Sequence, residues 1–248
     1  MSLPFDLSPG AAAFMAVALF GAAWVRGYSG FGFAALVVTS AALVTNPLHF
    51  VPVVLIADIL MTAQQLPGIW RHVDKRRAVT LFLGALVGVP VGVWALSGMG
   101  VDPARAVISA FVLGMSLLLW RGWRFRGHVG DGGHVAVGVL SGIANGAAVG
   151  GLPVAVFFAA QPIAAATFRA TVIAYFTLLD LWSVPLMWAA GMIGSDTLVA
   201  TALSMPILIV GIWLGSRHFH RSEPRDFRRF AILLLISLSV LGLVKSVI

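Results

Sequence analysis

Long apolar runs separated by short polar loops dominate the chain. Six of these runs reach the roughly 20 residues that a helix needs to cross a lipid bilayer. The longest polar stretch, residues 120–134, is only a loop, so no extramembrane domain is predicted. The predicted crossings are residues 48–69, 78–96, 104–120, 163–190, 197–215 and 230–247.

Two further apolar regions, residues 11–44 and 134–160, are interrupted in the middle by glycine and polar residues, at 26–32 and 145–153. A break at membrane depth frees backbone groups that must find partners in protein or trapped water. The second region is too short for two full crossings, which predicts a re-entrant hairpin of two half-helices. The first region is expected to form either such a hairpin or two short spans.

Composition agrees with a membrane protein, because 60% of the residues are hydrophobic, 10% are charged and the mean hydropathy is +0.99. These values leave too few polar residues to cover a soluble globule. The chain has no cysteine, which excludes disulfides, thiolate metal sites and cysteine nucleophiles.

The net charge of +7 does not indicate nucleic-acid binding. Twelve of the sixteen Lys and Arg residues fall in three loops between apolar spans, at residues 71–77, 121–126 and 217–229. Positive loops mark the cytoplasmic side of a membrane protein, so all three loops are predicted to be cytoplasmic.

The chain also repeats itself. Gly27 and Pro47 recur as Gly142 and Pro162 at an offset of 115. Residues 91–94 (Val-Gly-Val-Trp) recur as 210–213 (Val-Gly-Ile-Trp) at an offset of 119, and an acidic residue before proline recurs at an offset of 121. Landmarks in the same order, with offsets that grow as loop insertions would make them grow, indicate a duplication.

The basic loops do not follow the repeat, since the first half's loop with four Lys or Arg has a counterpart at residues 191–196 that contains neither. The halves are therefore expected to have opposite orientations in the membrane. The predicted fold is an all-α polytopic membrane protein of two inverted repeats, residues 1–121 and 134–248, joined by a basic cytoplasmic linker at 122–133. Each repeat has a Gly-rich broken or re-entrant region plus three transmembrane helices, about eight membrane segments in all, and both termini are periplasmic or extracellular.

Eight simple helices are the alternative topology. That arrangement would put the basic loops 71–77 and 217–229 on opposite sides of the membrane, against the positive-inside rule.

The two glycine-rich breaks are candidates for an anion site. Entering from opposite faces, they would bring half-helix ends together near the bilayer midplane, where inverted-repeat transporters hold substrate. A half-helix N-terminus carries unpaired N–H groups and partial positive charge. Glycine allows close approach and positive φ. The alternative role for these glycines is close helix packing.

Arg26, Asp58, Arg169 and Asp180 lie within apolar segments, where an isolated charge costs roughly 2.5–3.5 kcal/mol or more. Arg26 and Arg169 suit an anion with trigonal oxygens. The alternatives are an internal ion pair for Arg26 with Asp58 or Asp180, snorkelling to the outer face, and a cytoplasmic-end anchor for Arg169. Asp58 and Asp180 are candidates for proton coupling or for neutralising an arginine.

One enzyme hypothesis was tested against the sequence. Residues 27–30, Gly-Tyr-Ser-Gly, have the Gly-x-Ser-Gly form of rhomboid intramembrane proteases, whose serine needs a histidine base. All six histidines fall in loops or at span ends, so Ser29 has no buried base to activate it. An enzyme is therefore not expected.

At these residues the chain resembles the TauE/SafE sulfite exporter family, also called the toluene sulfonate uptake permease family. The similarity lies in residues 26–32 (Arg-Gly-Tyr-Ser-Gly-Phe-Gly), 70–74 (Trp-Arg-His-Val-Asp), the second-half run from 142 through 151–153, 168–171 (Phe-Arg-Ala-Thr) and 175–176. Val38 stands where the family often has a proline, and Leu152-Pro153 where it often has two. The resemblance implies an inner-membrane transporter of sulfite, sulfoacetate or other sulfonates, often outward, with Arg26 and Arg169 on family-like motif positions.

The resulting hypothesis is a secondary transporter, exporting small sulfur-containing or organic anions by alternating access. The alternatives are a passive anion channel, an uptake permease, an intramembrane enzyme and a scaffold. No cofactor, metal or nucleic acid is expected; the partners are the substrate anion, the bilayer of the plasma (inner) membrane and, left open, a second copy of the chain. The predicted substrate-binding residues are Arg26, Tyr28, Ser29, Gly30, Gly32, Asn145, Gly146, Gly150, Gly151, Pro153, Arg169 and Tyr175, with Asp58 and Asp180 for ion or proton coupling.

Overall fold

The computed structural model describes residues 3–122, 129–219 and 224–247, which form ten α-helices, two 3-10 turns and connecting loops. Residues 123–128 of the linker expected at 122–133 lie outside the described residues, as do residues 220–223 of the basic loop 217–229. The helices are α1 (Pro9–Ser29), α2 (Phe33–Val44), α3 (Pro47–Ile69), α4 (Lys75–Ser97), α5 (Val101–Arg121), α6 (Asp131–Asn145), α7 (Gly151–Ala159), α8 (Ala165–Ala189), α9 (Ser195–Phe219) and α10 (Pro224–Val247).

Each predicted crossing corresponds to one helix, namely α3, α4, α5, α8, α9 or α10. Among the described residues, six helices are long and apolar enough to cross a membrane, and five of them belong to this set. The sixth is α1, with 21 residues, so the region 11–44 contains one long and one short helix rather than two short ones. In α10 the described apolar stretch, Ile232–Ser246, is shorter.

Local sequence signals set several helix ends. The Ser8 side chain accepts a hydrogen bond from the Ala11 N–H and Pro9 follows it, which is a typical helix start. Asp74 caps α4 in the same way by accepting from the Arg77 N–H. At the other end of α1, Gly30 adopts the left-handed conformation, with φ of 82°, and stops the helix.

The two breaks use glycine differently. In the first break, Gly30 and Gly32 both have positive φ, as predicted for glycine. In the second break, between α6 and α7, the residue with positive φ is Ala148, at 56°. The prediction that glycine supplies the positive φ is therefore wrong for this break. Gly151 instead gives room to a neighbour, because a Cβ at this position would lie 2.7 Å from the Phe176 ring.

Helices that are distant in sequence pack through small residues. The closest pairs are α4 with α6, α1 with α9, and α5 with α10. Gly27, near the end of α1, faces the α9 backbone, where an added Cβ would lie 2.5 Å from the Ile212 carbonyl oxygen. Gly142, near the end of α6, faces α4 at 2.8 Å from the Val89 nitrogen. Both repeated glycines therefore lie in the last turn of a helix, α1 or α6, where they allow backbones to approach closely.

One face of the molecule, called here the basic face, gathers the loop between α3 and α4 and the starts of α6 and α8. Asp74 N–H donates to Thr171 at 2.9 Å, and Arg76 forms an ion pair with Asp131 at 2.7 Å. Lys75 lies over the Trp70 ring at 5.2 Å. Paired aromatic and basic side chains of this kind are typical of a membrane–water interface.

Contacts on the opposite face hold the chain termini. The Phe5 N–H donates to Asp196 at 2.8 Å, and the Phe5 ring stacks on His49. Near the other terminus, Lys245 donates to the Leu43 carbonyl at the end of α2. The region 11–44 thus begins and ends on this face, whereas the region 134–160 begins and ends on the basic face.

The outer surface of the bundle carries large apolar side chains. Trp94 is 79% exposed and Val17 is 73% exposed. Similar side chains occur on α4, α5, α8, α9 and α10. Such a continuous apolar surface fits a lipid environment, because a soluble monomer rarely exposes large apolar patches.

Candidate functional site

The two breaks meet at a buried cavity of about 30 Å³, called here the central cavity. A water molecule needs about 10–15 Å³ of such space, so the central cavity has room for roughly two. Six helices contribute to its wall: the last turns of α1 and α6, the first turns of α2 and α7, and the middles of α3 and α8. Its polar wall consists of Arg26, Asp58, Asn145 and Asp180.

Arg26 is 1% exposed, and α3 supplies most of its partners. Its guanidinium donates two hydrogen bonds to the Asp58 carboxylate, at 2.5 and 2.6 Å, in a bidentate ion pair. It also donates to Thr62 at 3.0 Å and to Gln65 at 2.5 Å. Of the roles left open for this arginine, the internal pair with Asp58 is present in the structure.

The partners on α3 follow from helix geometry. Asp58, Thr62 and Gln65 are spaced i, i+4 and i+7, which puts them on one face. This face turns inward towards α1. The sequence analysis missed Thr62, although the same spacing from Asp58 would have identified it.

Asp180 faces the same cavity from α8. It accepts a hydrogen bond from the Asn145 side chain at 3.2 Å, and Asn145 also donates to Ser183 at 2.9 Å. Asp58 and Asp180 both line the central cavity, so its wall carries two carboxyl groups.

The first turns of α2 and α7 complete the cavity wall. Phe33, Ala34 and Ala35 line it from α2, and Gly151 and Leu152 line it from α7. The N–H groups in the first turn of a helix have no intrahelical partner, and the helix dipole puts partial positive charge there. The cavity can therefore offer backbone donors to an anion in addition to the arginine.

Arg169 lies apart from the central cavity. It belongs to a second cavity of about 200 Å³, called here the vestibule, which is also lined by Tyr28, Ser29 and Phe31. Its guanidinium donates to the Gly27 carbonyl at 2.7 Å and to the Ser216 hydroxyl at 3.2 Å. The cation thus lies at the C-terminal end of α1, where carbonyl groups favour positive charge.

The predicted site residues divide into three groups. Arg26, Asp58 and Asp180 line the central cavity together with Gly32, Asn145 and Gly151, whereas Tyr28, Ser29 and Arg169 line the vestibule. The remaining five predicted residues are not in the walls of these two cavities: Gly30, Gly146, Gly150, Pro153 and Tyr175.

Tyr175 has a partner that explains its burial. Its hydroxyl donates to Ser141 at 2.8 Å, and Ser141 donates to the Gly150 carbonyl at 2.6 Å. These two hydrogen bonds connect α8 to α6 and α6 to the second break. Ser29 likewise uses its hydroxyl locally, for the backbone oxygens of Val25 and Phe31.

No group of three or more His, Asp or Glu side chains capable of holding a metal ion occurs in the part of the chain that the structure describes. The polar groups of the central cavity, a guanidinium, two carboxyls and an amide, suit hydrogen bonding and proton exchange. The phenylalanines of the two cavities were not predicted as site residues: Phe31, Phe33, Phe158, Phe168 and Phe176.

A helical bundle with a lipid-type surface and buried charges around a central cavity defines a multi-pass membrane protein of the transporter class. The chain belongs to the sulfite exporter TauE/SafE family, whose family model matches residues 14–241. It is 28% identical over 224 residues to the probable sulfite/organosulfonate exporter TauE of Cupriavidus necator, covering 85% of each chain. No solved structure matches the chain.

Proposed function

We propose that the protein is a secondary transporter that exports small sulfur-containing or organic anions, such as sulfite and sulfonates, by alternating access. The observation that carries this proposal is the convergence of two helix N-termini and a buried arginine on one cavity within the bundle. Family membership supports the anion as substrate.

The packing pattern supports two inverted repeats, residues 1–121 and 134–248. In this arrangement, helices α1 to α5 of the first repeat are equivalent, in order, to α6 to α10 of the second. The pair α1–α9 is then equivalent to the pair α6–α4. The pairs α3–α8 and α5–α10 are each equivalent to themselves. All of these pairs are in contact. A pseudo-twofold axis in the membrane plane would produce this pattern. One region begins and ends on the basic face and the other on the opposite face, which agrees with the same axis.

This arrangement suggests the orientation in the inner membrane. The basic face would be cytoplasmic, by the positive-inside rule, and both termini would then be periplasmic. The eight-segment count of the proposal takes α1–α2 and α6–α7 as one re-entrant segment each, beside six crossings.

Anion binding in the central cavity requires a rearrangement. Asp58 already occupies the bidentate face of the Arg26 guanidinium. A trigonal oxyanion could displace this carboxylate or bind to the first-turn N–H groups of α2 and α7. The central cavity is also too small for a sulfonate, so the wall must move as the anion enters. Movement of one repeat against the other would supply that space.

Asp58 and Asp180 are proposed to carry the coupling proton. An anion that replaces Asp58 at Arg26 would leave a buried carboxylate without its cation, which is costly unless a proton neutralises it. Asp180 lies beside it to share that proton. We therefore expect Asp180→Asn to retain exchange of anions while losing accumulation driven by a pH gradient.

The transport proposal is tested with purified protein in proteoliposomes. If the protein is a carrier, unlabelled sulfite or methanesulfonate loaded inside the proteoliposomes accelerates uptake of the labelled anion, an effect called counterflow. A passive channel shows no counterflow. Arg26→Lys should lose at least tenfold in rate, about 1.4 kcal/mol, because a point charge cannot reproduce the guanidinium fork.

Arg76→Gln is the matched control, because Arg76 is exposed and pairs with Asp131 away from both cavities. It should transport normally. Undiminished counterflow in Arg26→Lys would remove the central cavity from the proposal, and absence of counterflow in the wild type for every anion tried would refute secondary transport.

A further inference from the structure

The vestibule differs from the central cavity in position, size and chemistry. It lies between the end of α1 and the segment that joins α7 to α8, with Leu119 of α5 on one side. Asp74 contacts Thr171 in the next turns of α8, so the vestibule lies towards the basic face. Its volume of about 200 Å³ is several times that of the central cavity.

A single built-in cation dominates the polar chemistry of the vestibule. Arg169 is 9% exposed and is held by the Gly27 carbonyl and the Ser216 hydroxyl. The charge of Arg26, in the neighbouring central cavity, is balanced by Asp58. The potential in this cavity therefore favours an anion, and it acts in a partly desolvated setting where charge interactions are strong.

The remaining wall is mostly aromatic and apolar. Phe31 and Phe168 meet edge to face, with ring centroids 6.0 Å apart, and Phe158 and Phe168 meet at 6.2 Å. Ala155, Ala159 and Ile163 complete the apolar part. One cation beside an aromatic wall suits an anion that carries an organic group, because the wall can contact the apolar part while Arg169 binds the charged part.

Phe31 belongs to the walls of both cavities. It is buried and lies between Gly30 and Gly32, the two glycines with positive φ. Phe31 therefore adjoins both cavities, and the flanking glycines allow its backbone to rotate with little steric cost. An anion could therefore be held in the vestibule before or after it occupies the central cavity.

We propose that the vestibule is a second anion-binding site, selective for small organic sulfonates over inorganic anions of similar charge, on the path between the central cavity and the basic face. The position of this site on a transport path rests on the proposed transport function. The binding site itself can be tested without any measurement of transport.

The absence of cysteine in the chain allows a labelling experiment on single-cysteine variants. Ala159→Cys puts a thiol in the vestibule wall, at a half-buried position. The purified variant is labelled with N-ethylmaleimide in the presence of methanesulfonate, propanesulfonate or sulfate, anions that do not consume the reagent. At about ten times the dissociation constant, a ligand that covers the thiol slows labelling roughly tenfold by mass action.

The control is Ala95→Cys, which lines an apolar cavity of about 180 Å³ between α4, α5 and α6. Sulfonates should protect Ala159→Cys, with propanesulfonate acting at lower concentration than methanesulfonate, and should leave Ala95→Cys unchanged. Sulfate should protect weakly. Equal effects on both cysteines, absence of protection by sulfonates, or equal protection by sulfate and propanesulfonate would overturn the proposal.

The role of Arg169 is tested by further substitutions in the Ala159→Cys variant. Arg169→Gln should remove the protection. Because this change also breaks contacts with α1 and α9, Ala165 provides a second test at an exposed position in the vestibule wall. Ala165→Glu should weaken protection by repelling the anion, and Ala165→Lys should strengthen it. Protection that is the same in both Ala165 variants would contradict an anion site here.

Failure of this inference can be told apart from failure of the transport proposal. Ala34→Leu, which fills the central cavity from a half-buried position, should stop counterflow and leave sulfonate protection of Ala159→Cys intact. Counterflow without protection would reject the vestibule site alone. Protection without any counterflow in the wild type would retain the vestibule as a binding site and reject transport.

Discussion

The buried ion pair between Arg26 and Asp58 allows stability and transport to be separated. Both side chains are at most 8% exposed, and two hydrogen bonds at 2.5 and 2.6 Å join them. Removing one member of such a pair leaves an unpaired buried charge and typically costs about 3–5 kcal/mol. Asp58→Ala should therefore destabilise the folded protein by about this amount.

Removing both charges should cost much less. In Arg26→Met combined with Asp58→Ala no unpaired charge remains, and replacement of a buried pair by apolar side chains is often neutral. We expect the double variant to regain at least about 2 kcal/mol relative to the sum of the two single variants. The double variant should nevertheless show no counterflow, because the cation that holds the anion is gone.

The assay is reversible unfolding in mixed detergent micelles, with each variant measured by the loss of helical signal. Asp180→Asn serves as comparison, since it removes a carboxyl from the same cavity and leaves the Arg26 pair in place. Additive single effects, within about 0.5 kcal/mol, would show that the two side chains do not interact and would refute the reasoning. Counterflow at the wild-type rate in the double variant would show that the pair is structural only.

Two further predictions concern packing. Gly142→Ala should destabilise the protein by about 1–3 kcal/mol, because the added Cβ would lie 2.8 Å from the Val89 nitrogen. Gly114→Ala, at an open position on α5, should stabilise the protein slightly. Equal thermal unfolding temperatures for the two variants would contradict this prediction. Tyr175→Phe should cost about 1 kcal/mol by removing its hydrogen bond to Ser141. It should leave the concentration of sulfite at half-maximal counterflow unchanged, and a large shift would put Tyr175 in the binding site after all.

The apolar crossings could be predicted from the sequence because length and hydrophobicity alone decide whether a segment suits the bilayer. The break positions were also readable, since glycine and polar residues interrupt two apolar runs. The C-terminal end of α1 could not be predicted in this way, because Arg26 and Gly27 suggested that the helix ends earlier. In the structure the Arg26 charge is satisfied inside the bundle, so the helix continues to Ser29.

The division of the site into two cavities could not be predicted. Arg26 and Arg169 were both predicted to contact the anion, because both are charged side chains within apolar segments. Their separation depends on how α1 packs against α3 and α9, which places Arg169 at the end of α1 and Arg26 against Asp58. Such contacts between distant segments leave no periodic signal. The positive φ at Ala148 is another example, because nothing in its sequence marks an alanine for the left-handed region.

We propose that the anion binds between the first turns of α2 and α7, beside Arg26. A crystal structure with 2-bromoethanesulfonate, in which anomalous scattering locates the bromine atom, tests this directly. We expect a bound sulfonate in a widened central cavity, with its sulfonate group near Arg26 and Ala34. A sulfonate found only outside the central cavity, with the ion pair between Arg26 and Asp58 unchanged, would contradict it.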